Sequence, residues 1–92
     1  MIVSFANRTT ERFAVTGKAK FSGLDVAEAM ARLQLLPAAI SLDDIPPLKS
    51  VSLHNLSGDR QGQWAMTING PWRLVFRFSD GNAEDVEIVD YH

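Results

Sequence analysis

Apolar and polar residues recur in two different periods along this chain, and the change falls near residue 48. At the start, Ile2-Val3-Ser4-Phe5 is a short β-branched and aromatic run that reads as a strand. Asn7 stands as an N-cap ahead of Arg8-Thr9-Thr10-Glu11-Arg12-Phe13, and Gly17 supplies the stop of this first helix. Ser22, with Asp25 three residues on, resembles a capping box for a second helix. Behind it Val26, Met30, Leu33 and Leu36 recur every three or four residues, and Ala27, Ala29 and Ala31 favour helix. Pro37 is expected to end that helix at or before Leu36, because the residue before a proline avoids helical geometry. Residues 37–48 read as a loop with Pro46-Pro47 as its stiff end.

From there the period is two. Val51 and Leu53 alternate with Ser52 and His54, and Trp64, Met66 and Ile68 with Gln63, Ala65 and Thr67. Trp72, Leu74, Phe76 and Phe78 alternate with Arg73, Val75 and Arg77, and Val86 and Ile88 with Glu87 and Val89. Asn69-Gly70 and Asp80-Gly81 sit where hairpins must turn. The pattern predicts an α+β fold: an N-terminal strand, two helices, then a four-stranded antiparallel meander whose apolar face the helices cover. At 92 residues the chain allows one domain, residues 1–92.

Composition narrows the chemistry. The apolar share of 46% and charged share of 22% are those of a folded globular chain. Without cysteine there is no disulfide, thiolate zinc site or thiol nucleophile. No apolar run approaches a membrane span or a secretory leader, so a cytoplasmic protein with no membrane partner is expected. Net charge is −2, but it is unevenly spread. Residues 1–24 and 49–78 each carry a net +3, residues 25–48 a net −3, and residues 79–92 a net −5. The two basic blocks form one patch only if the fold brings them together.

With the Trp/Met/Leu/Phe series facing the helices, the opposite face carries Ser52, His54, Gln63, Thr67, Arg73 and Arg77. The second histidine is His92, at the end of Asp90-Tyr91-His92. An uncovered sheet face with a histidine and arginines suits phosphodiester chemistry on RNA, which brings its own nucleophile in the 2′-OH. Such an enzyme needs a base, an acid and positive charge on the phosphate, roles that histidine and arginine fill without a metal. Composition and spacing by themselves reach a soluble α+β domain with a weak pointer to nuclease chemistry. A lone sheet histidine, solvated strand arginines and a frayed terminus are the plain reading of the same residues.

Four stretches sharpen this. The opening Met1-Ile2-Val3-Ser4-Phe5, the block Leu53-His54-Asn55-Leu56-Ser57-Gly58-Asp59-Arg60-Gln61-Gly62-Gln63-Trp64, the stretch Asn69-Gly70-Pro71-Trp72-Arg73-Leu74 and the ending Val86–His92 resemble the HigB toxins, a branch of the RelE/ParE-like superfamily. The resemblance implies a RelE-like fold and a type II toxin that cleaves translated mRNA in the ribosomal A site. It implies a catalytic set of His54, Arg73, Asp90, Tyr91 and His92, with the two histidines' acid and base roles open. Arg60, Arg77, Lys18 and Lys20 are expected to contact RNA. The implied partners are a HigA-type helix-turn-helix antitoxin, the ribosome and mRNA, with operator DNA reached only through the antitoxin. No metal or other cofactor is implied. Ser57 stands where many relatives carry lysine, and the chain is mildly acidic where ribosome-docking relatives are basic. Those departures frame an alternative, a weakly active or inactive homologue that serves as an antitoxin-binding, operon-regulating module. A gyrase-poisoning activity of the ParE type is disfavoured by the two histidines and the Asp-Tyr-His ending.

Overall fold

A computed structural model describes residues 1–18 and 20–91. Helices α1 (Arg8–Thr16) and α2 (Val26–Ala38) precede a four-stranded sheet of β1 (His54–Asn55), β2 (Trp64–Asn69), β3 (Trp72–Ser79) and β4 (Asn82–Asp90). The strands pair antiparallel in sequence order. This is the expected α+β meander. Phe13, Leu36, Met66, Leu74, Phe76 and Val86 are fully buried in one core, and burying a side chain of this size contributes about 1.5–3 kcal/mol. Phe21 links the two layers, standing edge-on to Phe13 at 6.1 Å and to Trp72 at 5.3 Å. Among the described residues no helix is long and apolar enough to cross a membrane.

Helix α1 has the ends its sequence predicts. The Asn7 side chain accepts from the Thr10 amide at 2.8 Å, and Gly17, at φ 71, returns its own amide to the Phe13 carbonyl at 2.8 Å. Helix α2 departs from expectation at both ends. Its N-cap is Asp25 itself, accepting from the Glu28 amide at 3.1 Å. Ser22 instead offers its carbonyl to the Trp72 indole at 3.2 Å. Val26 is exposed, and the buried stripe runs Ala29, Arg32, Leu33, Leu36. Pro37 lies inside the last turn. Its missing N–H costs that turn one hydrogen bond, while burial of Leu36 and Ala39 holds the turn in place.

The extended segments also differ in detail. The N-terminal run makes two isolated parallel bridges to β4, Ile2 with Ala83 and Phe5 with Val86, rather than a regular strand. Between those bridges β4 bulges, with the register slipping and Asp85 at φ 51, so a continuous ladder cannot form. Val51-Ser52-Leu53 is not strand either. Ser52 adopts φ 49, which ends extended geometry and leaves β1 only two residues. The Asp80-Gly81 turn has both φ values positive, 52 and 78, as a type I′ hairpin requires. The other turn is Gly70-Pro71, one residue later than expected, because a bulge between Thr67 and Asn69 adds a residue to β2. Asn69 is engaged elsewhere, accepting from the Asp25 amide at 2.8 Å and donating to the Gly23 carbonyl at 3.0 Å. Within the 37–48 loop lies an unanticipated 3-10 turn, Leu42–Asp44, closed by a Ser41/Asp44 capping box.

Candidate active site

The register places two rows of side chains on the face away from the helices. One runs His54, Ala65, Val75, Glu87 across the four strands, and the next runs Thr67, Arg73, Val89. His54 and Arg73 therefore share a face, two strands apart and one row apart. Strand spacing of about 4.8 Å and rise of about 3.4 Å per residue put their α-carbons ~12 Å from each other. Arg73 is half-buried and does not point into the core.

His54 is exposed, and its Nδ1 lies 2.8 Å from the Ser52 carbonyl oxygen. A carbonyl can only accept, so the bond requires hydrogen on Nδ1. In the neutral ring Nε2 then carries the lone pair, the form in which an imidazole takes a proton. Arg73 is folded toward the β2–β3 turn. Its Nη1 donates to the carbonyls of Gly70 at 2.6 Å and Trp72 at 2.9 Å. Both bonds engage Nη1. The Nε and Nη2 hydrogens form the other edge of the fork, matched in spacing to two oxygens of one phosphate.

The remaining expected residues divide. The Tyr91 amide continues the ladder past β4, donating to the Pro71 carbonyl at 2.8 Å, and strand alternation assigns its ring to Arg73's side. Asp90 pairs in register with Trp72, so alternation assigns it to the helix side of the exposed strand end. His92 lies outside the described residues.

The face is less open than the alternation alone suggests. Ala65 and Val75 belong to it yet are fully buried, and on the same face the 56–62 loop sends Arg60 to Glu87, the residue opposite Val75. From the 3-10 turn Gly58–Arg60, Arg60 donates to the Gln63 side chain at 3.2 Å and pairs with Glu87 at 3.4 Å. Glu87 also accepts from the Asn7 side chain at 3.4 Å. Arg77 pairs with Asp85 at 3.7 Å and packs so close to Gly62 that a β-carbon there would lie 2.8 Å from its Nη1. Lys18 and Lys20 lie beside α1. With Arg8, Thr9, Arg12 and Thr16 they line a cleft of about 400 Å³ along α1.

Two residues outside the expected set matter here. Arg32, the only cation in an acidic stretch, is buried and donates to the carbonyls of Thr67 at 3.0 Å and Ser50 at 3.1 Å. Its position within the Ala29–Leu33–Leu36 stripe was the available signal. Glu87 sits opposite Val75 on the site's own face; its alternation with Val86 and Ile88 was the available signal, and the register adds its cross-strand partner.

Residues 3–92 match the family described as HigB-like toxin, a RelE-like toxin of type II toxin-antitoxin systems. The chain is 35% identical to Endoribonuclease HigB of Proteus vulgaris over 68 residues, 74% of this chain and 73% of that protein. It also superposes on the crystal structure of a YafQ point variant from E. coli with a TM-score of 0.63 at 16% identity, over 98% of this chain and 91% of the other. That second likeness establishes the fold.

Proposed function

Because the chain belongs to the HigB-like toxins, RelE-like members of type II toxin-antitoxin systems, we propose that it is a metal-independent endoribonuclease that cuts mRNA in the ribosomal A site. The observation that carries this reading is the imidazole of exposed His54, held at Nδ1 by the Ser52 carbonyl on the face that also holds Arg73. In the proposed step, Nε2 removes the proton of a ribose 2′-OH. The freed oxygen attacks the adjacent phosphorus, the bond to the 5′ oxygen breaks, and a 2′,3′-cyclic phosphate remains. Arg73 offers its Nε–Nη2 edge to the phosphate as charge builds on it. His92 is the acid that protonates the leaving oxygen, Asp90 orients it, and Tyr91 stacks on the nucleotide. Lys18, Lys20, Arg60 and Arg77 contact RNA. The work is done in the cytoplasm, on translating ribosomes, and is held in check by a HigA-type helix-turn-helix antitoxin that carries the pair to operator DNA.

His54→Ala tests the assignment. Cleavage of a short message on purified ribosomes is expected to fall about 10²–10⁴-fold, the usual contribution of a positioned base, with the melting temperature unchanged. A variant that cuts as well as the parent removes His54 from the chemistry.

One observation favours a second reading. Arg60 and Arg77 already hold Glu87 and Asp85, so RNA must compete for two of its expected cations. In that reading the chain is a weakly active partner of its antitoxin that tunes operator occupancy. Normal growth of cells producing soluble, folded chain without antitoxin would support it.

A further inference from the structure

Arg32 is costly where it stands. Its side chain is only 9% exposed, and a guanidinium out of water is tolerated only when its donors are used. They are used on backbone. Nε reaches the Thr67 carbonyl at the β2 bulge, and Nη2 reaches the Ser50 carbonyl and, at 2.9 Å, the Glu28 carboxylate. The Thr67 amide completes the staple by donating to the Val51 carbonyl at 2.7 Å. Residues 50 and 51 are thus fixed to β2 from both sides, while the amides of Val51 and Ser52 turn back to the Leu48 carbonyl at 3.0 and 2.9 Å.

The next residue is Ser52, at φ 49, a conformation that a non-glycine residue holds only under constraint. Its carbonyl is the one that receives His54 Nδ1. An imidazole is aimed, and its tautomer set, by whatever its other nitrogen binds. Packing would not require a guanidinium at position 32, since an apolar side chain fills a buried stripe. Two carbonyls belonging to different segments do require a rigid fork. We infer that Arg32 is a positioning residue for the RNA cleavage: by stapling Ser50 to Thr67 it holds the strained Ser52 carbonyl that sets the tautomer and aim of His54. The inference rests on the nuclease reading for its purpose, and on the hydrogen bonds alone for its mechanism.

The test therefore has two independent readouts on the full chain. The first is the nitrogen-15 spectrum of His54, which distinguishes the Nδ1–H from the Nε2–H tautomer. In the parent the Nδ1–H form should dominate the neutral ring. Arg32→Met and Arg32→Lys should both lose that dominance, because lysine keeps the charge but cannot span two carbonyls. The second is single-turnover cleavage of a ribosome-bound message. The cleavage rate constant should drop about tenfold or more, while the half-saturating ribosome concentration stays as in the parent because buried Arg32 is not offered as an RNA contact. If Arg32→Met fails to fold, Arg32→Lys decides. A folded Arg32 variant whose His54 keeps the parental tautomer overturns the inference. A parent that shows the Nδ1–H tautomer but cuts nothing overturns the nuclease reading and leaves the staple intact.

Discussion

Single side chains in this protein are committed to backbone groups that the fold leaves without partners. Thr10 shows the logic most simply. It is fully buried on α1, and its hydroxyl accepts from the Ile88 amide of β4 at 3.1 Å. Thr10→Val keeps the shape and removes the acceptor, so a buried N–H loses its partner. That should cost about 1–3 kcal/mol, read as a fall in melting temperature of several degrees. Cleavage by the folded fraction should be unaffected, since Thr10 lies outside the site. Of the candidate active-site residues, His54 and Arg73 share a face, as alternation requires, whereas the register assigns Asp90 to the other side. What the string of residues could not reveal is which carbonyl each would hold. The Ser52 contact of His54 depends on a left-handed backbone angle, and the two Arg73 contacts depend on where a bulge puts the turn.

Among the secondary elements, helix ends follow the sequence where a local cap decides them and depart from it where packing does. Asn7 and Gly17 delimit α1 through bonds within a few residues. The start of α2 instead follows Trp72, which draws the Ser22 carbonyl away and leaves Asp25 to cap. Both strand bulges were invisible to a period-two pattern, since each shifts the register by one residue without changing composition. The small 3-10 turn at Leu42–Asp44 carries a pH prediction. The Asp44 carboxyl accepts from the amides of Ile40 at 2.8 Å and Ser41 at 3.1 Å, which hold its pKa below the ordinary 3.8. A depressed carboxyl pKa stabilises the fold above the unfolded value, and that stability is lost as pH falls through the lower folded value. Amides of Ile40 and Ser41 should therefore exchange more slowly in the parent than in Asp44→Asn near neutrality, and the difference should vanish in strong acid. There the parent should lose its advantage. At neutral pH the asparagine variant should already exchange faster.

For the molecule as a whole, charge placement outweighs net charge. The acidic final block does not repel RNA uniformly: β4 spends Glu87 and Asp85 on Arg60 and Arg77 from the second basic block. The first block remains along α1, where Arg8, Arg12, Lys18 and Lys20 make no ion pair among the described residues. The two +3 blocks thus meet different fates, which a linear count of charges could not show. If the α1 cleft touches RNA phosphates, a Lys18→Ala/Lys20→Ala variant should weaken ribosome binding at low salt. The slope of log affinity against log salt should flatten by roughly 0.7 for each lost phosphate contact, with cleavage at saturating ribosome unchanged. An identical slope in variant and parent would place the docking surface elsewhere. The sheet's borders have a consequence of their own. Along β4, outward amides at Ala83, Asp85, Val86 and Ile88 are all taken by the N-terminal segment and Thr10, and the opposite border, β1, offers only two residues. A newly released copy of this toxin thus presents almost no template for cross-molecule strand addition, so liberation from its antitoxin need not end in fibrils or precipitate.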